Sequence, residues 1–292
     1  MDDTQPLPFD VLVKKAGDLE MMPQVARKVI ELVADQNSTA AQLASLLEKD
    51  ANITTRILKI ANSAFYGLRR EIKTVQQAIV ILGFKSLRSM VVASSSKALH
   101  KRFGITEQLM WDHSIGTAIG GKVFAEKSPS AVGELAFVGG LLHNVGKSVM
   151  NNECPKPFME VMKKVYNEGI QPIDAENQVF KYSHPAVGFK VTEKWGLPSE
   201  LSAIIKSYTL TRLTPEEREA IMKEQVLKLA MACVEVAADA CRILGIGYRD
   251  KKPDTPILNL EGAKLLGLTK ENLPEILKKF EDLYKKERQI FN

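Results

Sequence analysis

The chain has 292 residues, 45% of them hydrophobic, which is enough apolar surface for one large globular domain or two modest ones. It has three cysteines, an odd number without C-x-x-C spacing, which argues against a disulfide framework and a zinc finger. The net charge of +5 is spread without a long basic block, so any bias towards nucleic acid is mild. No apolar run approaches the roughly 18 residues of a membrane span, and the acidic N-terminus is unlike a signal peptide. A reducing cytoplasm is the expected location.

Apolar side chains recur with a helical period through almost the whole chain, and alternating strand patterns are nearly absent. This pattern predicts an all-α fold. Thr39 and Thr74 are each followed three residues later by Gln, so each predicts a helix start through a capping box. A third helix is expected after Asp50, and a helix break is expected near Gly83.

Two helical segments, 109–127 and 137–147, are separated by a short Ser-Pro-Ser link and are expected to form an antiparallel hairpin. His113 and His143 lie at similar distances from that link. A rise of about 1.5 Å per residue therefore brings both rings to one end of the hairpin. The adjacent glycines 139–140 each cost a helix about 1 kcal/mol relative to Ala, which indicates close approach of another helix. A stripe of small residues beside His113 offers the contact surface: Gly116, Thr117 and Gly120.

Two further helix starts are predicted after the hairpin. Pro185 suits the first position of a helix, which places His184 at the N-cap. A capping box at Thr214, with Pro215 next to it, predicts one long helix from about Pro215 to Leu244. A charged helix over 274–289 is expected to finish the chain.

Six motifs follow one another over roughly residues 19–212: Leu19 to Val25, Ile60 to Gly67, Gln77 to Gly83, Trp111 to Ser114, Leu141 to Lys147 and His184 to Gly188. In order and spacing they resemble the HDOD family, whose name means HD-related output domain. The resemblance implies an HD-superfamily-like multi-helix domain with an additional N-terminal helical subdomain. Such domains serve bacterial signal transduction, usually without demonstrated catalysis. The expected parts are an N-terminal helical subdomain (1–105), a degenerate HD-like helical core (106–245) and a C-terminal helical extension (246–292).

The resemblance also implies a ligand pocket. In the parent HD enzymes, His and Asp residues hold one or two metal ions that activate water for attack on a phosphate ester. His113, His143 and His184 match three of these histidines, whereas Asn144 stands where the aspartate of the His-Asp pair is expected. A neutral amide cannot replace a carboxylate in neutralising two cations. The distal aspartate is also missing, because Asp239 lies about two turns too late.

These matches favour a degenerate pocket without a metal or other cofactor. In the simplest interpretation the three histidines are polar core residues, bonded to one another or to backbone, that remain from an ancestral site. A single adventitious transition metal at His113, His143 and His184 is the alternative, since neutral imidazoles suit such ions. Hydrolysis is disfavoured because no carboxylate is available to bridge metals or to act as a general base.

The expected function is a non-catalytic regulatory output module that acts through contacts with other signalling proteins. A metal-dependent phosphohydrolase or phosphodiesterase of the HD type is the first alternative. A nucleic-acid-binding regulator is the second, because the helix pair 41–61 has the size of a helix-turn-helix. Its expected outward residues are Thr54, Thr55, Arg56 and Lys59. The turn lacks the usual Gly, and Glu48 and Asp50 would face phosphates, so nucleic acid ranks below protein partners.

The loop before Thr74 combines two aromatic and two basic residues. Phe65 and Tyr66 with Arg69 and Arg70 have the chemistry to stack on and clamp a nucleotide. The alternative is that the aromatic pair anchors the loop on the core, which is the commoner use of such a pair.

Overall fold

The computed structural model describes residues 5–17, 28–29, 32, 39–62, 71–83, 87, 91 and 104–291. None of these residues lies in a β-strand; they form α-helices joined by turns and short 3₁₀ segments. The all-α fold predicted from periodicity is therefore confirmed.

Four helices are described in the N-terminal part: α1 (Phe9–Gly17), α2 (Ala40–Leu47), α3 (Ala51–Ala61) and α4 (Val75–Leu82). The hairpin and the helices after it are α5 (Ile105–Phe124), α6 (Ser130–Leu142), α7 (Val145–Glu153), α8 (Pro155–Asn167), α9 (Pro172–Phe180), α10 (His184–Lys194) and α11 (Ser199–Ser207). The C-terminal helices are α12 (Pro215–Met222), α13 (Gln225–Leu244), α14 (Glu261–Leu265) and α15 (Leu273–Glu287). Short 3₁₀ segments span Leu210–Arg212, Ile257–Asn259 and Arg288–Phe291.

Threonine caps begin three of the helices as predicted. Thr39 and Thr214 form reciprocal capping boxes with the residues three positions on. Thr74 accepts a hydrogen bond from the backbone N–H of Gln77, but the Gln77 side chain accepts from the N–H of Lys73 instead of returning to Thr74. The predicted helix starts are confirmed, and the second cap is one-sided.

Helices α5 and α6 pack along each other as the predicted hairpin. A Cβ at Gly140 would lie 2.8 Å from the backbone carbonyl of Thr117, so the missing side chain permits the close approach. Gly116 and Gly120 do not serve this contact, because they face α13 and α15. The predicted stripe is thus wrong for two of its three residues. A helical period shows which residues share a face but not which neighbour covers it.

The prediction of one long helix over 215–244 is wrong. The backbone leaves helical geometry at Glu224, with φ −104° and ψ 97°, and this separates α12 from α13. Helix α13 packs against both α5 and α6, whereas no described side chain of α12 is buried. The break is invisible in the sequence because Lys and Glu are ordinary helix formers.

Helix α15 packs on α5 through the fully buried Phe280, and α1 packs on α7 and α10. The division into three parts at residues 105 and 245 stays a prediction. The cysteines are all free and buried: Cys154, Cys233 and Cys241. No helix in the described ranges is long and apolar enough to cross a membrane.

Candidate functional site

The three predicted histidines come from different helices and meet at one end of the α5–α6 hairpin. His113 lies within α5, His143 directly follows α6, and His184 begins α10. The ring centroids of His113 and His143 are 5.0 Å apart, as the spacing predicts. All three side chains are buried.

His113 is fixed in one tautomer by two hydrogen bonds. Its Nε2–H donates to the carbonyl of Ala238 at 3.3 Å, because a carbonyl only accepts. Its Nδ1 is therefore unprotonated and accepts from Nδ2 of Asn144 at 3.0 Å. Burial is the main reason that the pKa of His113 falls to about 3, and the nearby Lys147 ammonium lowers it further. His113 is thus neutral at pH 7.

His143 keeps one ring nitrogen bare. Its Nδ1–H donates to the carbonyl of Gly140 at 2.5 Å, so Nε2 is the unprotonated atom. Nε2 is buried and has no hydrogen-bond partner within the described part of the chain, and the same holds for Oδ1 of Asn144. Burial, then the neighbouring His113, holds the pKa of His143 well below its usual value. The floor of the site therefore presents two unpaired acceptors.

His184 lies in a buried row of three side chains. Its Nδ1–H donates to the carboxylate of Glu176 at 2.7 Å, and its Nε2 accepts from the hydroxyl of Tyr208 at 2.9 Å. Burial lowers the pKa of His184, although the Glu176 charge opposes this. Burial also raises the pKa of Tyr208 well above its usual value, so the phenol keeps the proton that it donates.

The prediction that His184 is an N-cap is wrong by one residue. Ser183 occupies the N-cap of α10, and its side chain makes no capping hydrogen bond. The backbone N–H of His184 donates instead to Glu176 at 2.8 Å. A carboxylate suits this place because the first N–H groups of a helix lack partners within the helix and carry partial positive charge.

Two carboxylates, those of Glu176 and Asp239, lie beside the histidines, and the sequence motifs assigned neither of them to the site. Glu176 belongs to no motif and reads in sequence as one polar residue of an ordinary helix. Asp239 lines the same cavity of about 650 Å³ as His113 and His184. Its Oδ1 is 3.7 Å from Arg242, and burial raises its pKa.

The site does not fit the metal centre of the parent enzymes. Five of the six ring nitrogens of His113, His143 and His184 are already engaged in hydrogen bonds. Among the described residues, no group of three or more His, Cys, Asp and Glu side chains is arranged to hold a metal ion. An imidazole ligates a metal through an unprotonated nitrogen that faces the ion. Only Nε2 of His143 is in that state without a partner.

The aromatic and basic loop, with Phe65, Tyr66, Arg69 and Arg70, lies outside the described residues. The residues that flank it are tied together. The side chain of Asn62 donates to the carbonyl of Ile72 and accepts from its N–H, both at 2.6 Å.

The helix pair 41–61 is present as α2 and α3, but one of its expected outward residues is not free. The hydroxyl of Thr54 donates to the carbonyl of Leu47 at 2.7 Å, so the prediction that Thr54 faces outward for phosphate is wrong. Asp50 caps α3 by accepting from the N–H of Ile53 at 3.0 Å. Its carboxylate therefore stands where a recognition helix would approach nucleic acid. Thr55 and Lys59 are exposed, and the side chain of Arg56 lies outside the described ones.

Replacing Glu176 tests the buried row. Glu176→Gln keeps one acceptor oxygen but turns an amide NH₂ towards a donor of His184. We expect a loss of about 1.5–3 kcal/mol in the free energy of unfolding, the range for a hydrogen bond to a charged group. Urea denaturation monitored by circular dichroism measures this loss of stability.

Glu193→Gln is the matched control, since Glu193 pairs with Lys190 on the surface, and its effect should stay within about 0.5 kcal/mol. Equal losses in the two variants would contradict the role given to Glu176.

The fold and the site together define an all-α protein with three buried histidines gathered at one end of a helical hairpin. The sequence model of the HDOD domain family matches residues 19–209, and the chain belongs to that family.

Solved structures share the fold. A candidate phosphohydrolase from Shewanella amazonensis SB2B has a TM-score of 0.66 and 21% identity, covering 96% of this chain and 98% of that one. A candidate signal transduction protein from Marinobacter aquaeolei VT8 has a TM-score of 0.59 and 18% identity, covering 92% of this chain and 57% of that one. An uncharacterised protein of Treponema pallidum is 20% identical in an alignment of 215 residues that covers 71% of this chain and 41% of that protein. The chain thus matches less than half the length of this curated relative.

Proposed function

We propose that this HDOD protein is a non-catalytic regulatory output module that acts through contacts with other signalling proteins. The observation that carries the proposal is the hydrogen bonding of the three histidines. The side-chain amide of Asn144 donates a hydrogen bond to His113, and His184 is hydrogen-bonded to both Glu176 and Tyr208. Five of the six ring nitrogens of these histidines thus already have hydrogen-bond partners, and the unpaired acceptors among the described residues of the cluster are Nε2 of His143 and Oδ1 of Asn144. The relative from Marinobacter, described as a candidate signal transduction protein, agrees with a signalling role.

An HD-type phosphohydrolase is the competing function, and the Shewanella relative is described in those words. Restoring the missing carboxylate with Asn144→Asp tests it. We expect neither the wild type nor this variant to hydrolyse bis-p-nitrophenyl phosphate or a cyclic dinucleotide more than about twofold above a blank with Mn²⁺. The reason is that an aspartate at 144 leaves His184 bonded to Glu176 and Tyr208.

The measurement is product formation with and without Mn²⁺, accompanied by metal analysis of the purified protein. His143→Ala is the control, because it removes the bare nitrogen. Metal-dependent turnover in the wild type that disappears in His143→Ala would overturn the non-catalytic proposal.

We rank nucleic-acid binding through α2 and α3 below protein contact as the function of this chain. Asp50 at the start of α3 repels phosphate, and Thr54 is already bonded to Leu47. A gel shift at low and moderate salt separates the classes. A shift that is lost steeply with salt would favour nucleic acid, and no shift at low salt would remove it.

A further inference from the structure

A cavity of about 650 Å³ opens beside the histidine cluster, and its volume is in the range of small-molecule sites. His113, His184 and Lys147 line its deep end. More than half of its lining residues lie beyond residue 209, where the family match ends. The cavity is therefore built largely by the C-terminal part of this chain.

Lys147 is a charged group without a direct partner at this deep end. Its Nζ has no hydrogen bond or ion pair within the described part of the chain, while burial lowers the pKa of its ammonium. Glu176 is the nearby acid that opposes this shift. The oxygens of Glu176 already accept from the backbone N–H and Nδ1–H of His184, so this acid stabilises Lys147 from a distance.

Arg242 supplies a second unsatisfied donor to the wall. Its Nη1 donates to Gln171 and lies 3.7 Å from Asp239, but its Nε is buried and has no partner among the described residues.

Two more cations, Arg249 and Lys252, line the cavity where it opens to solvent, and neither forms an ion pair within the described part of the chain. Arg249 lies over the ring of Tyr166, 4.9 Å from its centroid, and Lys252 is exposed on the same loop. Two acids of that loop, Asp250 and Asp254, also face the mouth.

The remaining charged lining residues are already satisfied. Arg212 forms a bidentate pair with Asp174, and Lys251 reaches Glu281. The carboxylate of Glu235 accepts from two backbone N–H groups. The charges left without close partners at depth are therefore positive.

We propose that this cavity binds a small oxyanion ligand, with the ammonium of Lys147 as its deepest contact and Arg249 near the entrance. The shared chemistry is a compact anionic group that accepts several hydrogen bonds, as phosphate and carboxylate groups do. The proposal goes beyond the regulatory function and does not depend on it, because binding is measured without turnover or a protein partner.

The test uses the full chain and two probes, inorganic phosphate and malonate, titrated by calorimetry at constant ionic strength. We expect saturable binding of at least one probe, and the probe that binds assigns the ligand to the phosphate or the carboxylate class. Lys147→Met should weaken that binding at least tenfold, whereas Lys147→Arg should keep it within about threefold because it retains a positive charge with N–H donors. Lys163→Met is the control, since it removes the same charge from an exposed position of α8.

Circular dichroism melts confirm that each variant is folded, and Arg249→Ala replaces Lys147→Met if that variant does not fold. Arg249→Ala should weaken binding at least threefold. Absence of saturable binding by both probes would overturn the proposal. Equal affinity in the wild type and in the folded variant would overturn it as well.

Discussion

Gly146→Ala is expected to cost more than about 4 kcal/mol in the free energy of unfolding, or to abolish the cooperative transition. A Cβ at this position would lie 2.0 Å from the carbonyl oxygen of His184 and 2.9 Å from the backbone nitrogen of Gly188. Both atoms belong to the α10 backbone, which cannot rotate away as a side chain can. Overpacking a core usually costs about 1–3 kcal/mol, and a clash between two helix backbones exceeds that range.

Gly133→Ala is the matched control for this prediction. It also replaces a helical glycine, but the new Cβ would meet its nearest neighbour, Cγ of Lys122, at an ordinary 3.5 Å. The control should gain up to about 1 kcal/mol from helix propensity. Urea denaturation monitored by circular dichroism gives both values. Similar stabilities for the two variants would show that α7 and α10 do not approach as closely as described.

The second large effect is loss of stability on mild acidification. His113, with a pKa of about 3 in the folded protein, binds fewer protons than the same residue in the unfolded chain. The unfolded state therefore takes up protons as the pH falls below about 6.5, and the free energy of unfolding decreases with it. At pH 5 the expected loss from His113 alone is about 2 kcal/mol relative to pH 7.5. His143 and His184, whose pKa values are also lowered, act in the same direction.

Urea denaturation at pH 7.5, 6 and 5 measures this loss, and the three pH values stay above most of the carboxylate titration. The stabilising contribution is complete above pH 6.5 and continues to fall towards about pH 3 for His113. His113→Asn should flatten the dependence, because it removes one of the titrating groups. A wild-type stability that does not change between pH 7.5 and 5 would mean that the buried histidines are not neutral.

The fold class and the hairpin could be predicted from sequence because both follow from local patterns. The helical period gives the all-α class, and the short link after Lys127 forces α5 and α6 to lie antiparallel. The break at Glu224 could not be predicted, since it depends on which helix faces are buried by distant neighbours.

The candidate site divides in the same way. His113, His143 and Asn144 are close because one hairpin joins them, and sequence spacing is sufficient to show this. Glu176 and Asp239 reach the site from helices whose placement depends on tertiary packing. Their side chains carry no local signal that separates them from solvated acids.

Gly247 and Tyr248 close the top of His113, and both come from chain that follows the family match. A Cβ at Gly247 would lie 2.4 Å from that of His113, and Tyr248 sets its ring edge-on to the imidazole at 5.2 Å. The residues that pack around His113 thus extend beyond residue 209, where the match to the family model ends. In this chain, access to the imidazole of His113 therefore depends on residues that the family motifs do not include.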